Sequence, residues 1–147
     1  MNIYLGTDHA GFKLKEKIKR WLDAQNIAYE DLGNTIYDKK DDYPIYAERV
    51  AHAVAKGKSL GILVCGSAQG VSIAANKVPK IRAVVPFSVK EAKLSREHED
   101  ANIICLSGWY FLPGKATKMV HAFLTTPFSK AARHMRRINE IKKLEKR

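Results

Sequence analysis

The chain has 147 residues, 46% of them hydrophobic, and a formal net charge of +11. This length favours one domain with enough apolar content for a core, and no stretch approaches the roughly 20 apolar residues that span a bilayer. The N-terminus enters an apolar run without a leader-like segment and two cysteines allow at most one disulfide, so a cytoplasmic protein with free thiols is expected.

The first half of the chain predicts two strands, each followed by a helix. Residues 2–6 form an apolar run, and 13–25 place apolar residues on one helical face: Leu14, Ile18, Trp21 and Leu22. Residues 27–33 alternate apolar and polar positions, as in a strand. Pro44 then opens a helix over 44–57, whose expected core face comprises Ile45, Ala47, Val50, Ala51 and Val54.

The second half repeats this alternation. Strands are predicted at 60–65, 81–87 and 102–107, and helices from 70, from 88, over 113–124 and from about 129. The last three strands are apolar on both faces, as parallel strands covered on both sides should be. We therefore expect a single-domain α/β protein over 1–147: a three-layer, Rossmann-like sandwich with a five-stranded parallel sheet and helices on both faces.

Ligands of such sheets bind outside the carboxyl ends of the strands. "GTDHAG" (6–11) follows the first strand, but it is not the dinucleotide-binding glycine pattern, and Phe12 stands where a P-loop needs lysine. Asp8 and His9 are the polar groups left at this strand end. Asp8 is either a helix N-cap or a proton-handling group.

"CGSAQG" (65–70) follows the third strand. A turn bracketed by Gly66 and Gly70 at a helix N-terminus presents backbone N–H groups to a phosphate or an oxyanion, and this field should lower the pKa of Cys65. Val71 excludes a tyrosine-phosphatase loop, which needs arginine there. Alternatively, Cys65 is a small core residue, which is the interpretation we adopt for Cys105.

Two further features concern charge and proton transfer. His98 leads into the fifth strand and is expected on the same rim as Asp8 and Cys65. Residues 130–147 carry eight basic and two acidic side chains. This tail is a solvated helix face, a site for nucleic acid or an acidic partner, or a site for a small phosphate, and it lacks the aromatic residues typical of nucleic-acid binding.

These motifs together resemble the ribose-5-phosphate isomerase type B family, which includes galactose-6-phosphate isomerases. The similarity covers nearly the whole chain and is carried by "GTDHAGFKLK", "DYPIYA", "GILVCGSAQGVSIAANK", "IRAVV", "LSREHEDAN" and "RHMRR". It implies a cofactor-independent aldose–ketose isomerase that works through an enediolate, converting ribose 5-phosphate to ribulose 5-phosphate without a metal.

The resemblance also implies roles for individual residues. Cys65 would be the base, His98 the ring-opening group and Asp8 its helper. Substrate-binding positions would be His9, Tyr43, Gly66, Ser67, Ala68, Gln69, Gly70, Glu99, Arg133 and Arg137. The implied assembly is a homodimer, or a dimer of dimers, in which the helix at about 129–147 packs on the partner subunit and active sites are shared. Neither nucleic acid nor membrane is an expected partner.

Three positions depart from the family pattern. Ala68 replaces a second loop glycine, Glu99 replaces asparagine, and Trp109 replaces arginine. These positions concern sugar and phosphate contacts. They leave open two alternatives: an isomerase of a six-carbon sugar phosphate such as allose 6-phosphate, or a non-catalytic phosphosugar-binding relative.

Overall fold

The computed structural model describes residues 1–146. The strands are β1 (Asn2–Thr7), β2 (Glu30–Asp31), β3 (Ser59–Cys65), β4 (Ala83–Val84) and β5 (Ile103–Ser107). The helices are α1 (Phe12–Ala24), α2 (Tyr43–Ala55), α3 (Gln69–Ala75), α4 (Val89–Glu99), α5 (Pro113–Thr125) and α6 (Ala132–Leu144), and a short 3-10 turn (His9–Gly11) precedes α1. All strand pairs are parallel, which confirms the predicted sheet.

The strand order is β2-β1-β3-β5-β4. Helices α1, α4 and α5 cover one face of the sheet, and α2 and α3 cover the other, each over its own apolar cluster. The chain leaves β1 toward the first face and leaves β3 toward the second. Since β1 and β3 are neighbours, a crevice opens between their carboxyl ends, where ligands bind in sheets of this kind.

The two edge strands are shorter than their sequence patterns predict. Only Glu30–Asp31 of the predicted 27–33 pairs as β2, and only Ala83–Val84 of the predicted 81–87 pairs as β4. An edge strand has one neighbour, so fewer ladder bonds hold its ends. Pro86, which has no N–H, also prevents β4 from extending.

The helices bury mainly the predicted residues. Ile45 is an exception and the expectation of a core role is wrong, since its side chain is half exposed. The buried face of α2 comprises Ala47, Val50, Ala51 and Val54, and two helical positions before Ala47 correspond to about 200° of rotation. Lys15 in α1 is the opposite exception, because it is completely buried.

The last helix begins at Ala132, three residues later than predicted, and it contacts its own subunit. The N–H of Ser129 donates to the carbonyl of Glu97 (3.1 Å), and Glu145 accepts from the N–H of Lys80 (2.9 Å). Thus α6 extends from the end of α4 toward the segment before β4. Packing of this helix on a partner subunit stays a prediction. Across the described residues, no helix has the length and apolar character to cross a membrane.

Candidate active site

The residues singled out from the sequence, together with His134, fall into two groups at opposite edges of the sheet. We call the first group the carboxyl-edge site: Asp8, His9, Tyr43 and residues 65–70. We call the second the amino-edge cluster: His98, Glu99, Arg133, His134 and Arg137. Strands rise about 3.3 Å per residue, so the five residues of β5 put roughly 15 Å between the two edges.

Asp8 follows β1 directly and caps the 3-10 turn. Its Oδ1 accepts from the N–H groups of Ala10 (3.1 Å) and Gly11 (3.3 Å), so the N-cap interpretation is correct. Asp8 is nevertheless only 5% exposed, and burial raises the pKa of its carboxyl group, although the Gly11 amide and the His9 charge oppose this shift. A buried carboxyl with a raised pKa can exchange a proton nearer neutrality than a surface aspartate.

Cys65 ends β3 and is 4% exposed. The N–H of Ala68 points at its Sγ at 3.2 Å, which gives a forming thiolate a hydrogen-bond donor. The prediction that the loop lowers the pKa of Cys65 is wrong in net direction. Burial raises that pKa, and the amides of Val71 and Ala68 offset only part of the effect. The thiol is therefore mostly protonated near neutrality, and its thiolate is a correspondingly strong base.

The loop after Cys65 is tightly fixed to the turn after β5. The carbonyl of Gly66 accepts from Ser107 Oγ (2.6 Å) and from the N–H of Trp109 (3.2 Å), and the carbonyl of Cys65 accepts from the N–H of Gly108 (2.8 Å). Ala68 has a left-handed backbone conformation (φ 71°), which explains why glycine suits this position. The loop therefore holds its amides in place before a ligand arrives.

Two aromatic rings lie against the loop glycines. A methyl group at Gly66 would overlap the indole of Trp109, and one at Gly70 would overlap the ring of Tyr43. Both rings are substantially exposed, at 66% for Trp109 and 39% for Tyr43. Trp109 thus belongs to the carboxyl-edge site and forms an apolar, uncharged wall beside Gly66.

His9 has a partner that sequence patterns did not indicate. Its ring Nδ1 lies 2.8 Å from Asp41 Oδ1, and its backbone N–H donates to the same oxygen at 2.9 Å. This hydrogen bond raises the pKa of His9. Asp41 lies 32 residues away in an irregular segment, so no spacing rule connects the two.

The donor atoms of Asp8, His9 and Asp41 lie within 4.8 Å of one another, as those of a cation site would. These groups are already engaged, however. Asp8 Oδ1 accepts from two backbone amides, and the two oxygens of Asp41 accept from His9 and from Asn34. Hydrogen bonding within the subunit accounts for this grouping, and catalysis without a metal stays a prediction.

The amino-edge cluster includes His98, which corrects its expected placement on the rim beside Cys65. A helix that precedes a parallel strand ends where that strand begins, at the opposite edge. Accordingly, Arg82 before β4 donates to the carbonyl oxygens of Glu99 (2.9 Å) and Asp100 (2.8 Å). Within one subunit, His98 and Glu99 are therefore distant from Cys65.

His134 joins this cluster without any indication in the sequence. Its ring stacks on that of His98 with centroids 4.4 Å apart, and its Nδ1 lies 2.7 Å from Ser129 Oγ. Burial, and then the charges of His98, Arg133 and Arg137, hold the pKa of His134 below its ordinary value. The two arginines are four residues apart, exposed, and on one face of α6.

The sequence is similar to those of known proteins over nearly its whole length. Residues 3–141 match the sequence profile of the ribose/galactose isomerase family. Ribose-5-phosphate isomerase B of Mycolicibacterium paratuberculosis is 44% identical, and the alignment covers 99% of this chain and 92% of the relative. Ribose-5-phosphate isomerase B of Mycobacterium tuberculosis is also 44% identical, over 99% of this chain and 91% of the relative.

Solved structures share the fold over nearly the whole chain. Ribose-5-phosphate isomerase B from Mycoplasma genitalium, crystallised with bound ribulose 5-phosphate, superposes with a TM-score of 0.93 at 41% identity, covering 99% of this chain and 96% of that one. The enzyme of the same name from Clostridium thermocellum gives a TM-score of 0.94 at 39% identity, covering 99% and 98%.

Proposed function

Because the chain belongs to the ribose/galactose isomerase family, we propose that it interconverts ribose 5-phosphate and ribulose 5-phosphate. The reaction needs no organic cofactor, because it only moves protons between neighbouring carbon and oxygen atoms. We place it in the cytoplasm, where free thiols such as Cys65 and Cys105 persist.

The carboxyl-edge site supplies the groups that this chemistry requires. With the sugar in its open form, the Cys65 thiolate removes the proton from C2, and the electron pair moves onto the C1 carbonyl oxygen to form the enediolate. Backbone N–H groups of residues 66–70 stabilise the oxygen that gains charge. Return of the proton from the Cys65 thiol to C1, with transfer of the C2 hydroxyl proton to the C1 oxygen, gives the ketose and restores the thiolate. Asp8 is positioned to exchange protons with the sugar oxygens.

One observation carries this proposal: a buried thiol ends β3 with an amide N–H 3.2 Å from its sulfur and a buried carboxyl at the adjacent strand end. Incubation of the purified protein with ribose 5-phosphate in D2O tests it. We expect ketose formation and incorporation of solvent deuterium at C1 or C2 of the recovered sugar. If a well-folded protein forms no ketose and exchanges no carbon-bound proton, the isomerase proposal is wrong, and a non-catalytic phosphosugar-binding function replaces it.

We further propose that a second copy of the chain completes each site. Ring opening and phosphate binding are the roles that the resemblance gives to His98, Arg133 and Arg137, yet these residues lie at the edge of the sheet opposite Cys65, and the sheet is roughly 15 Å high along β5. A symmetric homodimer, or a dimer of dimers, can bring the amino-edge cluster of one subunit to the carboxyl-edge site of the other.

Exposed apolar side chains near the carboxyl-edge site support this assembly. They are Ile45, Ile73, Phe87, Trp109, Tyr110 and Leu112, each at least half exposed. They belong to α2, to α3 and to the segments after β4 and β5. A group of this kind on a folded chain is typical of a protein interface.

Trp109 favours one alternative substrate class. Its indole lies against Gly66, where it offers apolar contact and no charge. A pocket wall of this kind suits a longer sugar phosphate, such as a six-carbon one, whose phosphate lies farther from the loop. Comparing kcat/KM for pentose and hexose phosphates decides between the two, and a preference of more than about tenfold for a hexose phosphate would replace ribose 5-phosphate as the substrate.

A further inference from the structure

The segment between β2 and α2 folds over the turn that follows β1, and within this segment Asp41 makes the hydrogen bonds to His9. One oxygen of Asp41, Oδ1, accepts from both the ring Nδ1 (2.8 Å) and the backbone N–H (2.9 Å) of His9. Two donors of one residue on one acceptor fix the rotation of the ring as well as its position.

The second oxygen of Asp41 is tied to the interior. Asp41 Oδ2 accepts from Asn34 Nδ2 at 2.8 Å, and the carbonyl of Asn34 accepts from Lys15 Nζ at 2.6 Å. Lys15 is completely buried and pairs with Asp31 at 2.7 Å. A continuous chain of hydrogen bonds therefore runs from a buried ammonium group to the ring of His9, and it keeps Asp41 from turning away.

Among residues 1–146, Nε2 of the His9 ring has no hydrogen-bond partner. With Nδ1 bonded to Asp41, only Nε2 can meet a ligand, and 34% of the His9 side chain is exposed. The charged groups that face the ring are Asp8 on its own turn and Asp41, and the edge of Tyr37 packs against it at 6.3 Å between centroids. Tyr46 of α2 lies beside Asp41 rather than beside His9. Both carboxylates favour the doubly protonated imidazolium form.

We propose that Asp41 is a positioning residue for substrate phosphate: it fixes the His9 ring so that a charged Nε2–H donates to the phosphate group. The role of His9 rests on the proposed isomerase function. The role of Asp41 follows from its two hydrogen bonds to His9 and from its anchor to Asn34.

The expected pH dependence follows from the direction of the His9 shift. Asp41 raises the pKa of His9, so the imidazolium persists to higher pH in the native protein, and phosphate affinity falls as pH rises through that pKa. Removing the charge of Asp41 lowers the pKa of His9, so the fall begins at lower pH. The substrate's phosphate group loses its second proton near pH ~6 whichever protein is present. This titration therefore affects the native protein and Asp41→Asn equally and does not contribute to the difference between them.

Asp41→Asn tests the proposal, with Asp38→Asn as the matched control. The new amide still accepts from His9, and Asn34 can turn its Oδ1, which has no partner among residues 1–146, toward the new NH2 group. Asp38 lies in the same segment, is exposed, and caps the N–H of Lys40 (2.9 Å), so its replacement removes the same charge without contacting His9.

Two measurements separate positioning from a purely structural role. Ring resonances of the histidines, with His9 assigned by its loss in His9→Gln, report the pKa of His9 and its response to inorganic phosphate. Steady-state kinetics with ribose 5-phosphate report KM and kcat. For Asp41→Asn we expect the pKa of His9 to fall. At neutral pH the affinity for inorganic phosphate should fall, and KM should rise, each roughly three- to thirtyfold. The value of kcat should stay within about twofold of the native value. Asp38→Asn should change none of these.

The phosphate titration is independent of turnover, so a protein that lacks isomerase activity still tests Asp41. Asp41→Asn introduced into His9→Gln should have no further effect on KM, because Asp41 acts through His9. Unchanged His9 pKa and phosphate affinity in Asp41→Asn would overturn the proposal. A His9 resonance in the native protein that does not shift when inorganic phosphate is added would also overturn the proposal.

Discussion

The carboxyl-edge site and the amino-edge cluster are built in opposite ways. At the carboxyl edge, Asp8 and Cys65 are buried, and hydrogen bonds from the turn after β5 hold the loop that follows Cys65. At the amino edge, Arg133 and Arg137 are exposed on a helix that touches the rest of its subunit lightly. The first arrangement suits proton transfer between fixed atoms, and the second suits capture of a charged group. In the proposed dimer, each supplies part of one site for a phosphorylated sugar.

The largest expected effect lies at the carboxyl edge. Cys65→Ala should lower kcat by roughly 10²–10⁴-fold, the usual loss when a general base is removed, with the fold retained. Cys105→Ala is the matched control, because Cys105 is a fully buried thiol within β5 and far less able to ionise. Measuring turnover and circular dichroism of both variants separates loss of catalysis from loss of folding. Near-native turnover in folded Cys65→Ala would show that another group is the base.

Loss of a phosphate-binding arginine at the amino edge should mainly raise KM. Arg137→Ala is expected to raise KM for ribose 5-phosphate roughly ten- to a hundredfold with a smaller change in kcat, because a charge-assisted hydrogen bond to phosphate is lost. Arg137→Lys should restore little, since lysine lacks the guanidinium fork. Arg136→Ala, one position along and about 100° around the helix, is the control. Equal effects of both alanine variants would point to general charge rather than a specific contact.

A smaller effect should come from the two departures that bear on substrate contacts. Trp109 lies at the carboxyl edge and Glu99 at the amino edge, so in a shared site they would act from different subunits. Ribose 5-phosphate should be a modest substrate, with KM toward or above the upper end of the usual ~1 μM–1 mM range. Trp109→Arg with Glu99→Asn should raise kcat/KM roughly tenfold, because each change adds a donor. Saturation of the native enzyme at low micromolar substrate, with harm from the double change, would contradict this.

The smallest effect concerns the stability of the Cys65 loop. Ala68→Gly should change the free energy of unfolding by less than about 1 kcal/mol, because relief of about 1–2 kcal/mol of left-handed strain offsets a lost buried methyl and added chain entropy. Ala75→Gly, at a buried position of α3 with ordinary helical geometry, should cost about 1–2 kcal/mol. Urea unfolding of both variants measures the difference. Equal losses would show that Ala68 is not strained.

Much of this fold follows from local patterns. β1, β3 and β5 are predictable because parallel strands buried on both faces need uninterrupted apolar runs. The edge strands β2 and β4 are shorter than their patterns, since pairing depends on a neighbour that the local sequence does not encode. Burial of Lys15 is equally unpredictable, because it depends on Asp31 and Asn34, which lie 16 and 19 residues away.

The candidate site was also predictable only in part. The strand-end rule finds Asp8 and Cys65, since a residue that follows a parallel strand must lie at the carboxyl edge. His98 precedes a strand, so the same rule places it at the other edge, and the prediction that put it beside Cys65 misapplied the rule. Asp41 and His134 depend on contacts made by an irregular segment and by the last helix, which no periodicity predicts. The direction of the Cys65 shift also required the structure, because burial outweighs the loop amides.

The central claim is that one active site combines Cys65 of one subunit with Arg137 of another. Mixing Cys65→Ala protein with Arg137→Ala protein tests it most directly, at a substrate concentration where each alone is nearly inactive. After subunit exchange, a heterodimer holds one site with both residues intact, so activity should rise toward about a quarter of the native value. If Arg137 serves its own subunit, no heterodimer site is intact. Failure to recover activity, with exchange proven by co-purification of differently tagged subunits, would contradict the shared site.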